Sequence, residues 1–211
     1  MVKENNQIPQ SVIRRLTRYL SQIHMFRDSG EEWVSSQVLA EALDLTSSTV
    51  RQDLSHIDIS GISRKGYEVK QLEKSLKKVL GADLVWNAVV VGAGNLGRAL
   101  AAHEDFSRKG FRICGIVDKD KSKIGKRVGR LRVQPLRRLP IMVGDENIAI
   151  GILAVPEAAA QSVADILIAS GVRGILNMAL SHVIVPARVS VVDARMVASL
   201  QELSYAIMTN R

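Results

Sequence analysis

The run Val89-Val90-Val91-Gly92-Ala93-Gly94-Asn95-Leu96-Gly97 constrains this chain more than any other feature. A β-branched strand runs into a GxGxxG turn, and Leu96, Ala99 and Leu100 then begin a helical pattern. Each glycine has its own task. Gly92 allows the tight turn, Gly94 lets backbone approach a pyrophosphate, and Gly97 lets the helix lie close on the strand. The helix start offers free N–H groups and a positive dipole end to phosphates. Asp118 closes the next strand, Phe111 to Val117, twenty-one residues after Gly97. That is where an acid bonds the adenosine ribose hydroxyls. The set predicts a β-α-β dinucleotide unit over residues 85–118, with Val85 to Val91 as the first strand. A carboxylate at this position repels a 2′-phosphate and so favours NAD over NADP, with Lys119 and Lys121 as nearby cations that offset the repulsion.

The loop does not open the chain; about 85 residues precede it. Pro9 suits a first helical turn. Ile13, Leu16, Leu20 and Ile23 follow at helical spacing, and Gly30 ends the segment. Ser35 reads as the cap of a short second helix with Val38, Leu39, Ala42 and Leu43 on one side. After Asp44-Leu45 comes Thr46-Ser47-Ser48-Thr49, a second cap-rich start, and then Val50-Arg51-Gln52-Asp53-Leu54-Ser55-His56. Two short helices joined by a tight turn describe a helix-turn-helix, whose second helix enters the DNA major groove by its N-terminal end. Ser47, Ser48, Thr49, Arg51 and Gln52 are the candidate contacts. Arginine suits guanine, glutamine suits adenine, and hydroxyls hold phosphates. Gly61 to Val69 reads as a β-hairpin wing with Arg64 and Lys65 at a basic tip. Arg15, with Arg14 and Arg18, is a further basic position, equally consistent with plain surface. Leu72, Leu76, Val79 and Leu80 form a linker helix ended by Gly81.

Beyond residue 118 the pattern predicts strand or turn material at Leu131-Arg132-Val133 and Ile141-Met142-Val143. A strong strand from Ile148 to Val155, stopped by Pro156, and a helix from Glu157 to Ser170 follow. Short strands at Arg173 to Met178 and Val189 to Val192 lead to a last helix carrying Met196, Leu200, Leu203 and Ile207. Strands alternating with helices imply an α/β fold with a parallel, doubly wound sheet. The expected organisation is a winged helix-turn-helix domain over 1–80, a Rossmann domain over 81–194, and a C-terminal helix over 195–211.

The net charge is +8. The excess lies mostly outside the head, in Lys119, Lys121, Lys123, Lys126, Arg127, Arg130, Arg132, Arg137 and Arg138, which read as a solvated face. A basic balance permits a polyanionic partner without identifying one. Cys114, the single cysteine, excludes an intrachain disulfide framework and a multi-cysteine zinc site, and reads as a small residue on a strand. No early segment has the pattern of a signal peptide. The longest apolar run, Ile148 to Pro156, is far short of the ~20 residues of a spanning helix. A cytoplasmic, metal-free protein without a membrane segment is expected. A nicotinamide-dependent reductase would need a substrate domain and an acid/base group. His103 and His182 are the histidines placed to approach a nicotinamide, and neither has an evident partner, so the chain reads as a regulator rather than an enzyme.

In order and over nearly its whole length the chain resembles the Rex family of bacterial redox-sensing transcriptional repressors. The resemblance rests on Ile8-Pro9, Arg15-Leu16, Tyr19-Leu20, Val50 to Ser55, Gly66-Tyr67-Glu68-Val69 and Val91 to Gly97. It continues through Asp118-Lys119-Asp120, Ala154-Val155-Pro156, Gly171 to Asn177 and Leu203 to Ile207. It implies NAD⁺ and NADH at the Gly92 loop, held by Gly92, Ala93, Gly94, Asn95, Leu96, Gly97, Asp118, Lys119, Val155, Pro156, Asn177 and Met178, with His103 near the nicotinamide. It also implies a homodimer whose C-terminal helix swaps into the partner, and a two-fold double-stranded operator that NADH releases. Several positions depart from the family pattern. A tyrosine becomes His103, an acid-phenylalanine pair becomes Arg195-Met196, and a first-helix arginine becomes Ser21. A phenylalanine becomes Met178, a recognition-helix lysine becomes Gln52, and the wing arginine moves by one to Arg64. These changes gather on the nicotinamide side and in the head, while the adenosine side keeps the family residues. They predict retained NAD-type binding, weaker discrimination of NADH from NAD⁺, and an altered operator preference. The alternative is a Rex-like paralogue that binds DNA with a structural nucleotide or another ligand.

Overall fold

The computed structural model describes residues 8–194 and 196–209. It divides into two compact units, Met1–Leu84 and Val85–Arg211.

The first unit is built on α1 (Gln10–Asp28), whose buried stripe of Val12, Leu16, Tyr19 and Ile23 faces the other helices. The short strand β1 (Trp33–Val34) leads to α2 (Ser36–Leu43) and α3 (Ser47–Leu54). The Ser35 hydroxyl caps α2 by accepting from the Val38 N–H, and the Thr46 hydroxyl caps α3 by accepting from the Thr49 N–H. Between them Asp44 takes a left-handed conformation at φ 54°, which makes the tight turn. Then β2 (Tyr67–Glu68) runs directly into α4 (Val69–Leu80), which Gly81 ends in a left-handed cap.

The wing differs from the hairpin expected for residues 61–69. Its tip is a turn closed by one bridge between Ile62 and Gly66. Tyr67–Glu68 pairs instead with Trp33–Val34, a strand not expected from the sequence. The cause is steric: a Cβ on Gly66 would stand 2.3 Å from the Val34 carbonyl oxygen, so only glycine lets the two segments meet.

The second unit is a seven-stranded sheet in the order β5-β6-β4-β3-β7-β8-β9. Its strands are β3 (Trp86–Val91), β4 (Phe111–Asp118), β5 (Arg127–Val128), β6 (Leu131–Pro135), β7 (Ile150–Leu153), β8 (Gly174–Asn177) and β9 (Ser190–Asp193). All pair in parallel except β5, which forms an antiparallel edge on β6. Numbering the parallel strands along the chain gives 3-2-1-4-5-6, the doubly wound order whose switch point lies between β3 and β7. The central strand is buried on both faces. Val89 and Val91 pack with Leu153 and Leu167 on one side, and Ala88 and Val90 pack with Ile116 and Ile152 on the other. Helices α5 (Asn95–Ala102), α6 (Asp105–Arg108), α7 (Leu139–Asp145), α8 (Glu157–Ala169) and α9 (Met196–Thr209) complete it.

Two expectations change here. Ile141-Met142-Val143, read as strand or turn, lies in α7: Pro140 sits in its first turn, where proline is tolerated, and Leu139 and Val143 bury one face. The strands expected from Val85 and Ile148 begin at Trp86 and Ile150.

A buried carboxylate pins the first unit. Asp53 of α3 is 2% exposed. It accepts two bonds from the Arg15 guanidinium, at 2.6 and 2.7 Å, and one from the Tyr19 hydroxyl at 2.7 Å. Burial pushes its carboxyl up, but the bonds from Arg15 and Tyr19 outweigh that and hold it below the usual carboxylate range. A depressed folded value stabilises above the ordinary pKa of 3.8 and is lost as pH falls through the folded one. Asp53→Ala is therefore expected to cost the unit about 1–3 kcal/mol at neutral pH, by stranding Tyr19 and Arg15. In urea unfolding the gap between parent and variant should be full at pH 7 and narrow below pH ~4.

Candidate functional site

The turn after β3 takes the shape its glycines predict. Gly92 has φ 104°, and a Cβ there would lie 2.2 Å from the Ala154 carbonyl oxygen after β7. On Gly97 it would lie 1.8 Å from the Gly92 carbonyl oxygen, so α5 rests directly on the turn. Gly94 is different: nothing lies within 4 Å of its Cβ position. The first two glycines are demanded by the protein's own backbone. The third opens outward at the start of α5, where free N–H groups and the helix dipole favour a phosphate.

A cleft of about 290 Å³ lies beside this turn at the switch point. Gly92 and Gly94 form one wall, Ala154, Val155 and Pro156 a second, and Asp118, Lys119 and Lys123 a third. Asp118 is 7% exposed. The Ala93 N–H donates to its Oδ2 at 2.7 Å, the Asp120 N–H to its Oδ1 at 2.8 Å, and the Lys123 ammonium to Oδ2 at 3.1 Å. Burial pushes this carboxyl up, and the N–H groups of Asp120 and Ala93, with Lys123, outweigh it, so Asp118 sits below the usual carboxylate range. An ionised carboxylate has about four acceptor positions. Three are used, which leaves one for a sugar hydroxyl. These residues fit the adenosine ribose and pyrophosphate of a dinucleotide: open backbone for the phosphates and an ionised acceptor for the ribose.

Other expected cofactor residues are placed differently. Asn95 starts α5, and with Ala93, Gly94, Arg98, Ser122, Lys123 and Lys126 it lines an adjoining cleft of about 270 Å³. Leu96 is partly exposed beside it. Asn177 is 1% exposed and its amide is spent on the fold. It donates to the Ser181 carbonyl and to Asp193 Oδ1 and accepts from the Ala179 N–H, locking the end of β8 to β9. Met178 packs against the core under Val90 and Ile152. His103 caps the far end of α5, its ring tilted against Phe106 and its Nδ1 accepting from the Asp105 N–H. It lines a separate cleft with Ala102, Glu104, Arg108 and Arg130, so a single chain does not bring it to the Gly92 cleft. Arg195 lies outside the described residues. Lys123, one of the basic run expected as a solvated face, enters the cleft through its bond to Asp118.

In the head, Ser48, Arg51, Gln52, Arg64 and Lys65 are exposed, and Ser47 and Thr49 partly so. The Thr49 hydroxyl lies 2.8 Å from that of Thr46, within the cap. Arg51 donates to the Ser36 hydroxyl at 3.2 Å. Arg64 holds φ 62° at the wing tip, and the Lys65 ammonium lies 3.8 Å from the Trp33 ring centre. Arg15 is committed to Asp53. The bond uses its Nε and Nη2, which gives Arg15 a structural task beside the DNA contact expected of it.

Residues 7–55 match the family described as "Putative DNA-binding protein N-terminus", and residues 83–181 match the CoA binding domain family. The redox-sensing transcriptional repressor Rex of Carboxydothermus hydrogenoformans is 41% identical over 200 residues, covering 95% of this chain and 96% of that protein. The chain belongs to the Rex family. Rex 1 of Thermotoga maritima is likewise 41% identical, over 202 residues, with 95% and 96% covered. Among solved structures, RSP, a Rex-family repressor, is 32% identical with a TM-score of 0.89 over 96% of this chain and 95% of that one. The complex of RSP with β-NAD⁺ and operator DNA gives a TM-score of 0.90 at the same identity, over 96% and 94%. RSP has also been solved with β-NADH. Among the described residues, no helix is long and apolar enough to cross a membrane, and no group of three or more His, Cys, Asp or Glu is placed to hold a metal ion.

Asp118→Ala should weaken NADH binding about 10- to 100-fold, the worth of one hydrogen bond to a charged group, about 1.5–3 kcal/mol. Calorimetric titration of the variant against the parent measures it, and an unchanged affinity would place the ribose elsewhere.

Proposed function

We propose that this chain is a cytoplasmic DNA-binding repressor whose operator affinity is set by the NADH/NAD⁺ ratio, NADH releasing the DNA. One observation carries this reading: the Gly92–Asp118 cleft and a capped helix-turn-helix occur in one chain, along its whole length like a repressor solved with NADH and with NAD⁺ and operator DNA. The divisions that serve this function are a DNA head over 1–80, a cofactor domain over 81–194 and a dimerisation helix over 195–211. Such a family member reads the cofactor rather than turning it over. When bound, the nucleotide would supply a redox-dependent nicotinamide. Gly94, the start of α5 and Asp118 would hold its phosphates and adenosine ribose in the cleft that Val155 and Pro156 wall. Release of DNA is a population shift, so NADH must bind the DNA-incompetent arrangement more tightly than the competent one.

The homodimer is supported by α9. None of its described residues is buried, yet Met196, Leu200, Leu203 and Ile207 are apolar and more than half exposed. A helix with a bare apolar face needs a second surface to cover it, and a second copy of the chain is the occupant the family suggests. Two-fold pairing would present two copies of Ser47, Ser48, Arg51, Gln52, Arg64 and Lys65 to a two-fold operator.

Redox discrimination is the finer part of the reading. His103, Met178 and Arg195-Met196 replace the family's residues on the nicotinamide side, so the chain should hold NADH and NAD⁺ more evenly than its relatives. Operator binding measured at fixed salt against NADH, NAD⁺ and NADPH tests the whole scheme. NADH should release DNA, and calorimetry should show an NADH preference below a hundredfold. Release by none of the three would favour a structural nucleotide. Leu200→Asp should convert the dimer to monomer in light scattering and abolish operator binding. Gln52→Lys should restore a cation in the groove and shift operator preference by about 1–3 kcal/mol at one base pair, read from binding to single-site operator variants.

A further inference from the structure

Residues 121–144 carry eight Lys or Arg and no Asp or Glu, and the cofactor cleft uses only Lys123 of these. The fold gathers three others. Arg130 stands at the turn between β5 and β6, Arg132 on β6, and Arg138 at the end of the 3₁₀ turn Leu136–Arg138 that follows it. All three line one cleft of about 330 Å³, floored by Cys114, Gly115 and Met142 and flanked by Gln134, with no carboxylate in its walls. None of the three forms an ion pair among the described residues, and Arg132 donates to the Gly125 carbonyl at 3.2 Å. Arg108 and Arg112 of the same unit, by contrast, are paired with Asp105 and Glu146.

We propose that this cleft binds a small multivalent oxyanion, a compound bearing two or more phosphate groups. Three guanidinium groups around one concavity repel one another in the absence of an anion. Each presents a planar fork that matches two oxygens of a phosphate, and each stays charged at any physiological pH. Gln134 adds an amide donor at the rim. The Cys114 thiol in the floor takes no part as a nucleophile: burial pushes it up and its S–H points to the Arg112 carbonyl. The volume suits a short polyphosphate. The site shares no lining residue with the Gly92 cleft, so it is a second site and not an extension of the first.

The probe is inorganic tripolyphosphate, titrated calorimetrically into the full chain at constant ionic strength with NADH saturating the first site. Saturable binding of about one per chain is expected. The double variant Arg132→Gln, Arg138→Gln should weaken it at least tenfold while leaving NADH affinity within twofold, which also shows that the variant is folded. Absence of saturable binding overturns the proposal, as does binding that the variant leaves unchanged. A parallel arm measures non-specific duplex DNA. If the variant lowers DNA affinity and its salt slope but not tripolyphosphate binding, the cluster is a DNA contact and the small-anion site is wrong.

Discussion

The close approach of backbone to backbone at Gly92 is the constraint on which the cofactor unit depends. The chain leaves β3, turns, and starts α5 with the Gly97 position resting on the Gly92 carbonyl, while the segment after β7 crosses against Gly92 from the other side. No side chain fits at either contact. The cleft follows from this crossing, because it brings the end of β3, the end of β7 and the end of β4 to one edge of the sheet. Asp118 then ties β4 to the turn by accepting the Ala93 N–H, so a single carboxylate both shapes the loop and lines the cleft beside it.

Each unit is organised around a buried carboxylate, and the two differ in what is left over. In the head, Asp53 faces a bidentate guanidinium and a phenol, and its bonds are turned inward. Breaking such a pair is costly because it strands buried polar groups. In the cofactor unit Asp118 is held by two backbone N–H groups and a partly exposed lysine, and the cleft lies beside it. The first is a fastener. The second is a fastener with a free valence, and that is the difference between a structural acid and a binding one. Lys123 also offsets the negative charge of Asp118, so the carboxylate's repulsion of a 2′-phosphate is weaker than the sequence position alone suggests.

Much of the architecture was legible in the chain because it depends on local patterns. The strand-turn-helix at Gly92, the acid at the end of β4, the caps at Ser35 and Thr46, and the alternation of strands and helices all follow from periodicity and turn chemistry. What was misread depends on pairing between distant segments. Tyr67–Glu68 looked like one arm of a hairpin, but its partner is Trp33–Val34, more than thirty residues earlier. Ile141-Met142-Val143 is a three-residue apolar run that suits strand or helix alike, and Pro140 in the first turn decided for helix.

The sequence by itself determined that a GxGxxG turn follows a helix-turn-helix head, and that an acid ends the next strand. Those are statements about residue type and order. Only the tertiary structure decided what each side chain has left to give. Arg15 is tied to Asp53, Asn177 is tied to the end of β8, and His103 is carried by α5 to a different cleft, while Lys123 is brought to Asp118 and three arginines to one hollow. A residue's chemistry is written in the chain, but its availability depends on which distant groups the fold sets beside it.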